Sequence, residues 1–142
     1  MSTMLMHAKR ALQEQPFSMF LGAEIVECGA EGAEAHIRIR NELKQQNGFV
    51  HGGVISYLAD TALGFAGGSA LGSWVVTSEF KVNFLRPATG YKLIARATAL
   101  YVGRSQAVCR CDVFTVLDDQ ERLCATAQGT ISTLGNTRTE QS

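Results

Sequence analysis

The chain predicts an α+β fold in which one long apolar helix lies against a six-stranded antiparallel sheet that curls around it. Three features carry this reading. Residues 54–66 are apolar at almost every position, as in a helix enclosed by protein. Six segments around that helix alternate apolar and polar side chains, the period of a half-buried strand. The last connections are short and contain Gly90, Gly103 and Asp118-Asp119, as antiparallel neighbours require. A twisted sheet can curve around a helix that has no face suited to water.

In chain order, Met4, Leu5, Ala8, Ala11 and Leu12 recur at helical spacing, so residues 1–15 predict a short amphipathic helix that stops before Pro16. Residues 21–29 read as a strand. After a turn at Gly32, Ala33, Ala35, Ile37 and Ile39 alternate with Glu34, His36, Arg38 and Arg40, completing a hairpin. The polar stretch 41–50, with its Asn47-Gly48 pair, is a loop. The central helix runs from Val54 to Ala66, and Gly67 and Gly68 are expected to end it, because glycine accepts a left-handed C-terminal cap. Strands follow at about 74–85, 91–102, 105–117 and 122–134. Leu93, Ala95, Ala97, Ala99 and Tyr101 share one face, as do Leu123, Ala125, Ala127 and Ile131. The tail, 135–142, is expected to be disordered.

With 142 residues, no internal repeat and no linker, the expectation is one domain over 1–142. Thirteen basic residues balance thirteen acidic ones, so no global field draws in nucleic acid or an anionic membrane, and an anionic ligand must be met by local groups. The N-terminus lacks the pattern of a secretory signal, and no run approaches the length of a spanning helix. A soluble, cytoplasmic protein is expected. Cys28, Cys109, Cys111 and Cys124 form no metal-binding pattern with histidine and read as reduced thiols packed in or near the sheet, so no metal is expected. His7 and His36 read as surface residues.

Two features carry chemistry. Gly52 and Gly53 follow His51 at the start of the central helix, where unpaired backbone N–H groups and the helix dipole suit an anion or a developing oxyanion. A tight turn with nothing bound is the alternative. Asp60 is the one acid in the apolar helix, and a carboxylate there is costly unless it is hydrogen-bonded, paired or placed at a cleft or subunit interface. It is either a cap or interface partner, or a nucleophile or general base whose reaction places an oxyanion on the glycine N–H groups.

The segment HGGVISYLADTALGFA, followed by VNFLRPA and then VGRS, resembles the hotdog-fold acyl-CoA thioesterases, particularly the phenylacetate-degradation type, over roughly residues 15–134. The resemblance implies hydrolysis of an acyl-CoA to a free acid and CoA, with no cofactor. By position it implies that Asp60 attacks the thioester carbonyl or activates the water that does. Gly52 would give its N–H to the thioester oxygen, and His51 would fix the turn or help polarise the carbonyl. Gln45 falls where the family orients the water or the carbonyl, and Thr77 where some members place a hydroxyl beside the nucleophilic water. Gly53 and Ser105 are substrate-binding candidates. Arg86, Arg104 and Lys81 are candidates for the CoA phosphates, Arg104 first among them.

The family implies a homodimer or a dimer of dimers, with Asp60 and the glycine turn of each site supplied by different subunits. An acyl-CoA sensing module without hydrolysis is the principal alternative, and a hotdog dehydratase or hydratase a third, although its histidine-led motif differs. The acyl group stays open between aryl and medium or long chains. Tyr57, Phe49, Leu63 and Trp74 are the candidate chamber residues. Asp60, where another branch carries glutamate, favours the phenylacetate-like branch; Gln45 in place of asparagine blurs that preference.

Overall fold

The apolar run after His51 does fold as a long helix, α3 (Gly52–Leu71), packed against one curved six-stranded sheet. The structure is a computed structural model and describes residues 1–135. Before α3 come α1 (Thr3–Gln13), α2 (Pro16–Leu21), β1 (Ala23–Gly29), β2 (Gly32–Arg38) and a 3-10 turn at Asn41–Leu43. After it come β3 (Val75–Phe84), β4 (Lys92–Val102), β5 (Gln106–Leu117) and β6 (Gln120–Thr133). The strand order is β1-β2-β4-β5-β6-β3, with every neighbouring pair antiparallel, so β1 and β3 are the edges. Most of the tail, 136–142, lies outside the described residues.

The strands fall within one or two residues of the predicted segments, and the first starts two residues late. Leu21 belongs to α2, a helix absent from the sequence expectation, and Gly22 is its cap. Pro16 ends α1 but is also pre-set for the first turn of a new helix, and Gly22, at φ 76°, closes that helix with a left-handed cap. The Arg40 guanidinium holds the same end by donating to the carbonyls of Phe20 and Leu21, both at 2.9 Å.

The end of α3 is also corrected. The helix runs through Gly67 and Gly68 to Leu71, and Gly72, at φ 66°, is the left-handed cap, its N–H bonded to the Gly68 carbonyl at 2.8 Å. Gly67 is an interior glycine for a different reason. A Cβ there would sit 2.6 Å from Cβ of Ile131, so the missing side chain lets α3 and β6 approach.

Nor is α3 enclosed on all sides. Val54, Ile55, Leu58, Ala59, Ala62, Leu63 and Ala66 are buried against the sheet, whereas Tyr57, Asp60, Thr61, Gly64, Phe65 and Gly68 are only half-buried. Contrary to expectation, α3 is long and apolar enough by length and composition to cross a membrane. Its buried face is instead packed as a core helix on the sheet.

Bulges move some side chains off their expected face. Beyond the shift at Ala99 and Tyr101, Tyr101 is 64% exposed, and the irregularity opposite Val113 and Phe114 turns Leu123 outward while Cys124 and Ala125 are buried. All four cysteines are free and buried, and burial pushes the Cys111 thiol up to about 12 and the Cys124 thiol up to about 11, as inert packed thiols require. On the outer face, Arg96 binds Glu121 through two bonds of 2.6 and 2.8 Å and Glu34 at 2.7 Å, and its guanidinium lies 5.3 Å from the centre of the Phe114 ring. His36 joins this network through Glu34 at 2.7 Å and so is a bonded strut on the sheet face.

Candidate functional site

The predicted catalytic residues fall into two groups, one at the start of α3 and one at its middle. Asp60 lies in the middle of α3, one position beyond the buried stripe that includes Ala59. Facing it is Thr77 of β3, whose Oγ1 donates to Asp60 Oδ1 at 2.6 Å. The backbone explains the meeting. Strand β3 pairs Thr77 with Ile131 and then Glu79 with Thr130, so Ser78 is an extra residue and a bulge sits beside Thr77. Bulges at such places re-aim a side chain. Asp60 Oδ1 is thus held, and Oδ2 has no partner among the described residues.

The pair opens into a cavity of about 1090 Å³ between α3, the start of β3 and the N-terminal helix. Tyr57, Gly64 and Gly68 line it from α3, Trp74 from the turn before β3, and Met4, His7 and Ala11 from α1. Cys28 also lines it. Burial pushes the Cys28 thiol up, and the Ser69 hydroxyl, 3.0 Å away, only partly offsets this, so it stays a protonated thiol near neutral pH. Asp60 is therefore the stronger nucleophile candidate in this cavity.

The second group surrounds the start of α3. His51 is the N-cap, and its Nδ1 accepts the Gly53 N–H at 2.8 Å. The side chain fixes the turn, and it does so by consuming the donor of Gly53. The Gly52 N–H has no partner among the described residues, and a Cβ at this position would lie 3.2 Å from Cζ of Phe84. Glycine is what lets the ring and the helix end approach.

Gln45, Phe49, Gly52, Phe84 and Arg86 together line a cleft of about 390 Å³. The Gln45 side-chain carbonyl accepts the Asn47 N–H, leaving its amide N–H₂ as a donor. The loop is pinned by His51 N–H to the Leu43 carbonyl at 2.9 Å and Val50 N–H to the Ala88 carbonyl at 3.0 Å. Arg86 is exposed and forms no ion pair among the described residues.

One chain does not unite the two groups. Eight residues of helix separate Gly52 from Asp60, about 12 Å along the axis, and each opens on a different cleft. Arg104 and Ser105 stand apart from both, in the β4–β5 turn, where the Ser105 carbonyl accepts the Thr133 N–H at 2.9 Å. Lys81 is exposed on β3.

Of the chamber candidates, Tyr57 and Trp74 line the large cavity, Phe49 lines the other cleft, and Leu63 is corrected: it is 0% exposed and packed in the core. The sequence reading also missed that α1 and α2 wall the cavity. Ser18 is only 1% exposed, accepts from the Tyr57 hydroxyl and donates to Gln15 at 2.6 Å, while Phe17 stands edge-on to Tyr57 with ring centres 5.3 Å apart. A serine flanked by Phe17, Met19 and Phe20 is the signal that would have found it.

Comparison with known proteins bears on this geometry. The sequence pattern of the thioesterase superfamily matches residues 47–125, which span the glycine turn, Asp60 and Thr77. A Haemophilus influenzae protein named "Putative esterase" is 34% identical over 116 residues, covering 80% of this chain and 82% of its own. A thioesterase family protein from Silicibacter pomeroyi superposes with a TM-score of 0.83 at 31% identity, covering 91% of this chain and 96% of its own. The E. coli PaaI protein from the phenylacetic acid degradation operon superposes at 0.80 over 94% of this chain and 96% of its own; at 22% identity it shares the fold alone.

Proposed function

The chain belongs to the thioesterase superfamily, with the hotdog fold, and we propose that it hydrolyses an acyl-CoA thioester to a free acid and CoA, using Asp60 of one chain and the Gly52 N–H of another. The observation that carries this reading is the Thr77–Asp60 pair in a cavity, set against an open N–H at the start of the same helix.

In the reaction, the free Oδ2 of Asp60 either attacks the thioester carbonyl or takes a proton from the water that attacks it. The carbonyl π pair moves onto oxygen, which Gly52 stabilises by its N–H and by the positive end of the α3 dipole. Collapse of the tetrahedral intermediate breaks the C–S bond and releases the CoA thiolate, which picks up a proton. If Asp60 is the nucleophile, water then cleaves the resulting anhydride. Thr77 positions the carboxylate, and the amide N–H₂ of Gln45 is available to orient the carbonyl or the water. Exposed Arg86, in the same cleft as Gly52, is suited to a CoA phosphate, and Arg104 and Ser105 offer a second such position.

The 12 Å of helix between Gly52 and Asp60 supports a site shared by two chains. Strand β3 is an open sheet edge, and Val76 and Phe84 on it are 49% and 54% exposed. Two copies paired antiparallel along β3 would bring the start of one α3 toward the middle of the other, giving a homodimer or a dimer of dimers. Asp60→Asn is expected to abolish release of free thiol from acyl-CoAs while the melting temperature stays close to wild type. Near wild-type turnover by that variant would remove Asp60 from the mechanism, and a monomer by light scattering would remove the shared site.

A further inference from the structure

Two interior glycines of α3, only three residues apart, exist for different reasons. Gly67 is required by Ile131. At Gly64 an added Cβ would meet nothing within 4 Å. Its backbone is helical, so no left-handed conformation requires glycine, and glycine is costlier than alanine inside a helix. Nothing among the described residues accounts for it. Gly64 lies one turn after Asp60 on the same face and lines the same cavity, as does Gly68 another turn on, where a Cβ would make only an ordinary contact of 3.4 Å with Val75.

From Asp60 past Gly64 to Gly68 the groove is about 12 Å long, and α1 closes its far side with Met4 and Ala11. An acetyl group would leave most of that length empty. Of the polar groups that line it, Cys28 and Ser69 bond to one another at 3.0 Å and ask for no partner on the ligand. Those that carry charge besides Asp60, namely Arg10, Glu14 and, when protonated, His7, come from α1 and its end rather than from the α3 face that Gly64 and Gly68 form. We infer that Gly64 keeps open an apolar groove beside Asp60 that receives the acyl tail, making this protein selective for unsubstituted medium-chain acyl thioesters over acetyl ones. This rests on the acyl-CoA reading above and names the substrate class within it.

The test compares acetyl-CoA with octanoyl-CoA on wild type, Gly64→Ala and Gly64→Leu. Wild type is expected to show a kcat/KM at least tenfold higher for octanoyl-CoA, and Gly64→Leu to lower that ratio at least tenfold, because its side chain occupies the tail's path. Melting temperatures of both variants should be no lower than wild type, that of Gly64→Ala higher, and the oligomeric mass unchanged. Equal loss on both substrates, an unchanged ratio, a wild-type preference for acetyl-CoA, or a change of mass in Gly64→Leu would overturn the inference, the last by showing that another chain covers the groove. If wild type releases thiol from neither substrate, the hydrolase reading fails and calorimetry decides the groove. Tighter binding of octanoyl-CoA than acetyl-CoA, lost in Gly64→Leu, sustains it; equal binding overturns it.

Discussion

Replacing Thr77 by valine keeps the shape of the side chain and removes one atom's chemistry, the hydroxyl that donates to Asp60 Oδ1 at 2.6 Å. A hydrogen bond to a charged group contributes about 1.5–3 kcal/mol. If the bond is maintained in the transition state, its loss lowers the rate about tenfold to 100-fold, since about 1.4 kcal/mol is one factor of ten. The lower end is expected, because Asp60 is only half-buried and water can partly replace the donor. The cost to folding should be small for the same reason.

The assay is steady-state thiol release with octanoyl-CoA on wild type, Thr77→Val and Thr77→Ser. The role assigned to Thr77 is to hold the carboxylate, so kcat should fall about tenfold in the valine variant with KM nearly unchanged, and serine should restore most of the loss. Wild-type kcat in Thr77→Val, or serine as impaired as valine, would refute the reasoning. The first would show that Asp60 is positioned by other means; the second, that the methyl group matters and the hydroxyl does not.

Three further outcomes follow from the fold. Gly67→Ala should destabilise by up to about 2 kcal/mol in urea unfolding, because overpacking against Ile131 costs about 1–3 kcal/mol and improved helix propensity returns about 1; a double variant with Ile131→Ala should lose less than the sum of the two single losses. On the outer sheet face, burial pushes the Glu34 carboxyl up, but hydrogen bonds and charges from Arg96 and His36 together hold it below its usual value of 4.5, and Arg96 does the same for Glu121. Their contribution is therefore present above pH 4.5 and lost as pH falls below it, so Arg96→Met should flatten the acid limb of the melting-temperature profile. Finally, Asp60→Asn and Gly52→Val chains, each inactive alone, should regain about a quarter of wild-type activity when refolded together in equal amounts. About half of the dimers are then mixed, and each mixed dimer has one intact site; no recovery would place both residues of a site in one chain.

What the sequence made legible was whatever local periodicity controls. The strand parities of β2 and β4 hold through Ala33, Ala35, Ile37, Leu93, Ala95 and Ala97, all buried, because a sheet with one covered face leaves no choice of register. Parity failed at Leu123 and Tyr101, where a bulge inserts one residue, and nothing local announces a bulge. The end of α3 was misplaced for a related reason. Gly67, Gly68 and Gly72 are equally good caps on paper; what decides among them is Ile131, more than sixty residues away on β6, which needs the space at Gly67 and so keeps the helix going. Helix α2 was missed because Pro16 stops one helix as readily as it starts another, and the difference lies in Gly22 and in Arg40, which reaches back to cap it.

The site divides along the same line. Asp60 was conspicuous because an acid in an apolar helix must have a reason, and in the structure that reason is partly that the helix is not enclosed: the acid stands at the border of a face that lines a cavity. Its pairing with Thr77 depends on the bulge at Ser78, so the residues alone could suggest it only through family resemblance, whereas its separation from Gly52 follows from eight residues of helical rise and was available from the start. Those two facts constrain each other. If Asp60 and the Gly52 N–H act on one carbonyl, a rigid helix cannot bring its own ends of the site together, and the open edge at β3 is where a second chain would have to join. On the proposed mechanism, the helix that separates Asp60 from the Gly52 N–H within one chain would be the element that makes the reaction depend on assembly.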